Sequence, residues 1–358
     1  MKVLLTGGCG FIGEHFNRSL RLRNHEVINL DLYQPAGDAA KHAFYRGDVR
    51  DPAALKRAMM HGGTPVDHVV HLAAAHHDFG IERDTYFSVN EHGTRTMCEV
   101  MDELGIREAT FYSTVAVYGE VPEPIHEDSP KRPFTPYGES KLAGEKVLQE
   151  WVEKGEGRRC LVIRPTVTFG PNNFANMYSL IRQIAGKKYV QFGKADNIKS
   201  LSYVENIIDA TIYLWAHKNR ADFDVYNWID KPDLTSGGIS EEIYKSLLLP
   251  PKPMKLPMWF GMLAGLPFDI VIKLTGKNLP ISTARIKKLF SAQTKYEADK
   301  IAATGFSPAV SLPEGIKRMV EWYQARGRFQ KAEWRQPPAE TVINATAPES
   351  PAPVAANA

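Results

Sequence analysis

Three glycines at three-residue intervals stand five residues into the chain, in Thr6-Gly7-Gly8-Cys9-Gly10-Phe11-Ile12-Gly13. An apolar run, Val3–Leu5, reads as a buried strand before them, and a helix-like pattern ending near Arg23 follows. Glycine at this spacing lets a backbone turn tightly and bring its N–H groups against a pyrophosphate, whose charge the next helix N-terminus favours. A glycine repeat alone is only a turn. Here the context adds a second strand, Glu26–Leu30, closing on Asp31, a position from which a carboxylate accepts hydrogen bonds from an adenosine ribose. The segment predicts a βαβ dinucleotide-binding unit with Gly7, Gly10, Gly13 and Asp31 at the ligand. Asp31 also predicts NAD over NADP, because its carboxylate opposes a 2′-phosphate and Leu32 and Tyr33 bring no compensating cation.

Further strand-like runs occur at Val66–Leu72, Ala109–Tyr112 and Leu161–Ile163, with helix-like runs between them, including Asp84–Leu104 and Tyr137–Trp151. That alternation predicts an α/β fold, a doubly wound parallel Rossmann-type sheet covered on both faces. Regularity breaks near Phe169, which predicts a smaller mixed α/β C-terminal substrate lobe. The expected division is residues 1–168 for the dinucleotide domain and 169–330 for the lobe, with room for segments that return to the sheet. The last clear helix is Leu312–Arg326, and residues 335–358, rich in Pro and Ala, read as a disordered tail. A net charge of +3 spread over 358 residues gives no argument for nucleic acid. The three cysteines are far apart and lack metal-ligand spacing, so no metal site is predicted and a reducing cytoplasm is expected. The start of the chain has no apolar h-region and no small-residue cleavage site, which agrees.

Tyr137-Gly138-Glu139-Ser140-Lys141 opens a strong helix pattern after Thr135-Pro136. Tyr and Lys four apart share a helix face. A phenol with a reference pKa near 10 is a poor base at pH 7, and a cation within a few ångströms makes its phenolate accessible. Upstream, Tyr112-Ser113-Thr114 ends a strand, where open α/β sheets place their ligand crevice. A hydroxyl there, Ser113 or Thr114, can hold a substrate alcohol beside the Tyr137 oxygen.

Together these motifs resemble the extended short-chain dehydrogenase/reductase superfamily, in its NAD-dependent sugar epimerase and dehydratase branch, from Lys2 to about Tyr323. The resemblance implies that Phe11 and Ile12 join the glycines in the cofactor loop. It places Asp48 and Val49, in Gly47–Asp51, at the adenine. Leu72, Ala73 and Ala74 then pass under the cofactor, and Asn90, Ser113 and Pro165 neighbour it. Thr114, Tyr137 and Lys141 become the catalytic trio, the last two also touching the cofactor. Asn176, Lys199 and Arg285 join Thr114 at the substrate, and a homodimer is implied. Dehydratases of this branch carry T-D-E-V-Y-G, whose Asp and Glu serve elimination. Here the run is Thr114-Val115-Ala116-Val117-Tyr118-Gly119, without that pair. Lys199 stands where many members offer an arginine to the substrate diphosphate, keeping the charge and losing the bidentate fork.

Within the branch, Asp224–Asn227, Lys231–Leu234, Gly261–Leu263, Phe268-Asp269 and Thr275–Lys277 resemble bacterial epimerases of N-acetylglucosamine borne on a polyprenyl diphosphate. This implies 4-epimerisation between N-acetylglucosamine and N-acetylgalactosamine on a polyprenyl or nucleotide carrier, in surface polysaccharide (O-antigen) synthesis. A net oxidoreductase, such as a keto-sugar reductase or a hydroxysteroid-type dehydrogenase, uses the same trio, and a dinucleotide-sensing scaffold is a third reading. Leu256–Ile272 is the most apolar stretch. It contains Pro257, Pro267 and Asp269 and falls short of the roughly 20 residues of a spanning helix. It is either a core or lid helix of the small lobe or a patch for peripheral contact with the inner face of the membrane. Lys252, Lys255, Lys273, Lys277, Arg285, Lys287 and Lys288 flank it. His76 and His77 read as a polar pocket wall, Arg158-Arg159 as a solvated start to a strand, and Asn344–Thr346 as an unused glycosylation sequon.

Overall fold

The computed structural model describes residues 1–77, 80–251, 253–275, 282–290, 293–331 and 335–343, with only the backbone described at 284, 285, 288 and 289. Strands β1 (Lys2–Thr6), β2 (Glu26–Asp31), β3 (Ala43–Arg46), β4 (His68–His71), β5 (Glu108–Tyr112) and β6 (Arg159–Pro165) are joined by β11 (Phe223–Trp228) in one sheet. Its order is β11-β6-β5-β4-β1-β2-β3, and every neighbouring pair is parallel. The chain winds outward from β1 to β3 and then crosses back to β4. The crevice between β1 and β4 is therefore the topological switch point at which such sheets bind ligands.

Crossovers in the first half are filled by α1 (Phe11–Leu22), α2 (Pro52–Met59), α3 (Arg83–Phe87), α4 (Gly93–Glu103) and α5 (Pro136–Glu153). Beyond them come α6 (Asn176–Ala185), α7 (Val204–Trp215), α8 (Ser236–Ser246), α9 (Met258–Thr275), α10 (Thr283–Phe290), α11 (Asp299–Ala302) and α12 (Leu312–Ala325). One sheet face is sealed by Phe16 and Leu20 of α1 with Ile207 and Leu214 of α7. Leu55, Met97, Met101, Leu148 and Trp151, from α2, α4 and α5, seal the other. A third core, around Ile181, Ile243, Ile316 and Met319, belongs to the small lobe. That lobe holds three short strand pairs: β7 (Val167–Phe169) with β10 (Leu201–Tyr203), β8 (Val190–Phe192) with β13 (Met254–Leu256), and β9 (Ile198–Lys199) with β12 (Leu234–Thr235).

Two elements differ from the sequence reading, and a third point fills in what it left open. β3 has four residues, of which only Phe44 is buried, too little periodicity to register. α7 and β11 are the segments that return from the second half to the sheet, a return for which the sequence reading left room. The long helix expected over Asp84–Leu104 is α3 and α4 joined by a π-helical turn, Ser88–His92, of the kind that reaims side chains near functional sites.

Candidate active site

Glycines dictate the backbone at the end of β1. Gly7 has φ +69°, and a Cβ there would lie 2.6 Å from Ala73 N, so only glycine lets this loop pass against the chain leaving β4. A Cβ on Gly13 would come 2.4 Å from Gly8 O, which sets how closely α1 approaches the loop. Gly7 N donates to Leu30 O at 2.8 Å and Gly10 N to Gly7 O at 3.1 Å, closing a tight turn. No side chain caps the first turn of α1, whose leading amides form an anion cradle. Asp31 ends β2 beside the loop, its Oδ2 accepting from Cys9 N at 2.9 Å and its Oδ1 from Tyr33 N at 3.0 Å. Burial pushes the Asp31 carboxyl pKa up, partly offset by these bonds and by Arg335. Phe11 and Ile12 begin α1 and pack against the sheet core.

Asp48 is buried, with Arg50 Nη2 on its Oδ2 at 2.6 Å and Arg50 Nε on its Oδ1 at 3.0 Å. Val49 is buried under α4, where a Cβ on Gly93 would meet its Cγ2 at 2.9 Å. After β4, Leu72 N donates to Thr6 O at 3.0 Å and Ala73 N to Thr6 Oγ1 at 3.4 Å, so Leu72, Ala73 and Ala74 leave along the glycine loop. Asn90 lies in the π-turn, fully buried. Its Oδ1 accepts from Ala75 N at 2.9 Å, and its Nδ2 donates to Ala75 O at 3.0 Å and to Ser140 Oγ at 2.9 Å. The residue expected beside the cofactor thus ties the segment after β4 to α5.

Thr135 caps α5, its Oγ1 accepting from Gly138 N at 3.1 Å, and Pro136 supplies the first helical residue. A Cβ at Gly138 would sit 2.7 Å from Ala116 O, so the first turn of α5 abuts the 3₁₀ turn Val115–Val117. Thr114 caps that turn, accepting from Ala116 N at 3.1 Å. The packing brings Thr114 and Tyr137 to one corner, at the C-terminal end of β5. Lys141 follows one helical turn after Tyr137, buried, with Nζ 4.5 Å from the centroid of the Phe111 ring.

Behind this corner lies a buried network that the sequence reading missed. Ser113 Oγ donates to Glu145 Oε1 at 2.5 Å. Glu145 holds Arg164 bidentately, Nη2 to Oε2 at 2.6 Å and Nε to Oε1 at 2.9 Å. Arg164 Nη1 donates to Tyr118 OH at 2.7 Å, and Tyr118 OH to Asn227 Oδ1 at 2.7 Å. The network joins β5, α5, β6 and β11. It also separates the two hydroxyls: Ser113 Oγ turns into the core toward Glu145, and Thr114 Oγ1 caps the 3₁₀ turn. The spacing Tyr137, Lys141, Glu145 on one helix face was the available signal.

A model of the NAD dependent epimerase/dehydratase family matches residues 3–228. The chain belongs to that family. It is 38% identical, over 90% of its length and 95% of the relative's, to N-acetyl-alpha-D-glucosaminyl-diphospho-ditrans,octacis-undecaprenol 4-epimerase of Escherichia coli O157:H7. Its fold matches the crystal structure of UDP-glucose 4-epimerase from Thermotoga maritima with a TM-score of 0.71 at 21% identity, covering 91% of this chain and 99% of the other. UDP-glucuronic acid 4-epimerase from Bacillus cereus, solved with NAD, gives a TM-score of 0.70 at 22% identity over 91% and 99%. The chain is an NAD-dependent enzyme, and the glycine loop, Asp31 and the Asp48 turn fit that cofactor.

As an epimerase-family site, the corner has an electrostatic cost. Burial lowers the Lys141 pKa from its usual 10.5 to about 7, with Glu145 pulling it back up. Between pH 7 and 10.5 the unfolded chain therefore binds more protons at this site, and stability rises with pH; below pH 7 the penalty is fully present. Replacing Lys141 by Met is expected to raise the melting temperature, most at pH 7 and below, with the gain fading toward pH 10. Melting curves at several pH values check this, and a pH-independent gap would contradict it.

Pro165 ends β6 beside the network, and Lys199 lies half-buried on β9, opposite Leu234 of β12. Asn176 starts α6 and is exposed. The side chain of Arg285, with Lys252, Lys277, Lys288 and the sequon, lies outside the described residues. The His76 and His77 rings lie tilted against each other with centroids 4.3 Å apart, and no group of three metal-ligating side chains occurs among the described residues. Arg158 is not merely solvated: it pairs with Asp102 at 2.8 Å and lies over Trp151. Residues 335–343, expected to be disordered, run across the glycine loop and the Asp48 turn.

Proposed function

We propose that this protein is a 4-epimerase of N-acetylglucosamine and N-acetylgalactosamine linked through diphosphate to a polyprenyl carrier, serving surface polysaccharide (O-antigen) synthesis. The observation that supports the reading is the packing of the first turn of α5, which carries Tyr137 and Lys141, against the turn that Thr114 caps at the end of β5, with Val115 and Ala116 in place of an elimination pair. NAD supplies reversible hydride acceptance. Tyr137, as phenolate, takes the C4 hydroxyl proton while the C4 hydrogen leaves with its electron pair. Thr114 Oγ1 holds that alcohol, and the Lys141 ammonium favours the phenolate. Hydride would return from bound NAD to the opposite face once the 4-keto sugar has turned over, and Tyr137 gives the proton back to the C4 oxygen. Net cofactor consumption is zero, so interconversion should proceed with catalytic NAD and no second redox substrate. A stoichiometric demand for NAD or NADH would make the protein an oxidoreductase instead.

The carrier is argued from α9. It is one continuous 18-residue helix through Pro267, still short of the roughly 20 residues of a spanning helix. Trp259, Leu263, Leu266, Ile270 and Leu274 recur at helical spacing and are all exposed, Leu274 at 79%. The other side is held: a Cβ on Gly261 would meet Phe192 at 2.7 Å, and Asp269 Oδ2 accepts from Thr283 Oγ1 at 2.5 Å. An apolar stripe facing outward, with exposed Lys255, Lys273 and Lys287 nearby, suits peripheral docking on an anionic bilayer. Replacing Trp259 and Phe260 by serine is expected to abolish flotation with anionic lipid vesicles while the melting temperature stays within a few degrees. Undiminished flotation of that variant would remove α9 from the membrane reading.

A further inference from the structure

Composition assigns residues 335–343 no structure, yet several of the segments expected at the cofactor hold on to them. Arg335 Nη1 donates to Cys9 O at 2.9 Å, in the glycine loop, and its guanidinium lies 5.2 Å from the centroid of the Tyr33 ring. Arg335 O accepts from His77 Nε2 at 2.7 Å, three residues after the chain passes Ala74. Tyr33 OH, two residues beyond Asp31, donates to Gln336 O at 2.8 Å. Arg50, buried against Asp48, donates to Pro338 O, Ala339 O and Glu340 O, each at 2.9 Å, and Val342 N donates to Asp48 Oδ2 at 3.2 Å. Four separate pieces of the dinucleotide site, brought together only by the fold, meet one nine-residue segment.

We propose that residues 335–343 form a strap over the adenosine end of the NAD site and hold the cofactor in place between turnovers. Two features favour a strap over a plug. The segment takes a carbonyl of the glycine loop, Cys9 O, while Cys9 N donates to Asp31, so this contact does not use a loop amide of the kind that cradles a pyrophosphate. It also brings a cation, Arg335, to that loop, where the ligand's charge is negative. An epimerase benefits from such retention, because the cofactor reduced in the first half-reaction must remain for the second.

The test compares the full chain with a chain ending at Gln330 and with Arg335→Ala and Tyr33→Phe in the full chain. The readout is the cofactor dissociation rate, measured as the loss of bound NADH fluorescence on displacement with excess NAD, which needs no sugar substrate. The shortened chain should release the cofactor about tenfold faster or more, as expected on losing several charge-assisted hydrogen bonds. Arg335→Ala should move in the same direction by less, and Tyr33→Phe by less again. Should the shortened chain fail to fold, Arg335→Ala alone decides. Unchanged release in every variant would overturn the strap. Faster association and tighter binding after truncation would overturn it in favour of an autoinhibitory plug.

Discussion

Replacing Tyr137 by phenylalanine is expected to lower turnover by about 10² to 10⁴ while NAD binding is kept. The substitution removes one oxygen at the start of α5, where Thr135 and Pro136 fix the helix independently of the phenol. In the proposed mechanism that oxygen carries the C4 hydroxyl proton in both half-reactions, so its loss falls on kcat more than on KM. Lys141→Met should show a different pattern. The acidic limb of its pH–rate profile should move upward, because the phenolate loses its nearby cation. Turnover of the Tyr137 variant near the wild-type level would remove the phenol from the chemistry.

Arg164→Leu is expected to destabilise the fold by about 3–5 kcal/mol, because it leaves the Glu145 carboxylate buried without its cation. Arg164 and Glu145 are nearly inaccessible, and their bidentate contact links β6 to the catalytic helix. Ser113 shares the Glu145 carboxylate, so the same change loosens the turn that presents Thr114. The double variant Arg164→Leu, Glu145→Met should recover much of the loss, since it removes both charges. Denaturant midpoints measure this. A cost below about 1 kcal/mol, typical of exposed pairs, would show that the network is not held as described.

The dinucleotide half was legible because its constraints are local. Gly7 needs positive φ, Asp31 ends a strand, and Tyr137 and Lys141 lie one helical turn apart, so period and spacing reveal each of them. What escaped, or was left open, depends on contacts between distant segments. β11 and α7 return to the sheet from beyond the small-lobe strand β7. Their own patterns fit either unit, and only packing against β6 and α1 decides between them. Ser113 and Thr114 look interchangeable in sequence. Glu145, 32 residues away, draws one hydroxyl inward. Residues 335–343 have few apolar side chains, and they are held by their backbone carbonyls, which accept from Arg50 and Tyr33, a signal that composition does not carry.

The carrier is decided by offering one preparation two donors, N-acetylglucosamine on polyprenyl diphosphate and on uridine diphosphate, in the presence of anionic vesicles. The predicted result is epimerisation of the lipid-linked sugar far faster than of the nucleotide sugar, with catalytic NAD. Equal or faster turnover of the nucleotide sugar, by protein that stays off the vesicles, would contradict it and return α9 to the role of an ordinary lid helix.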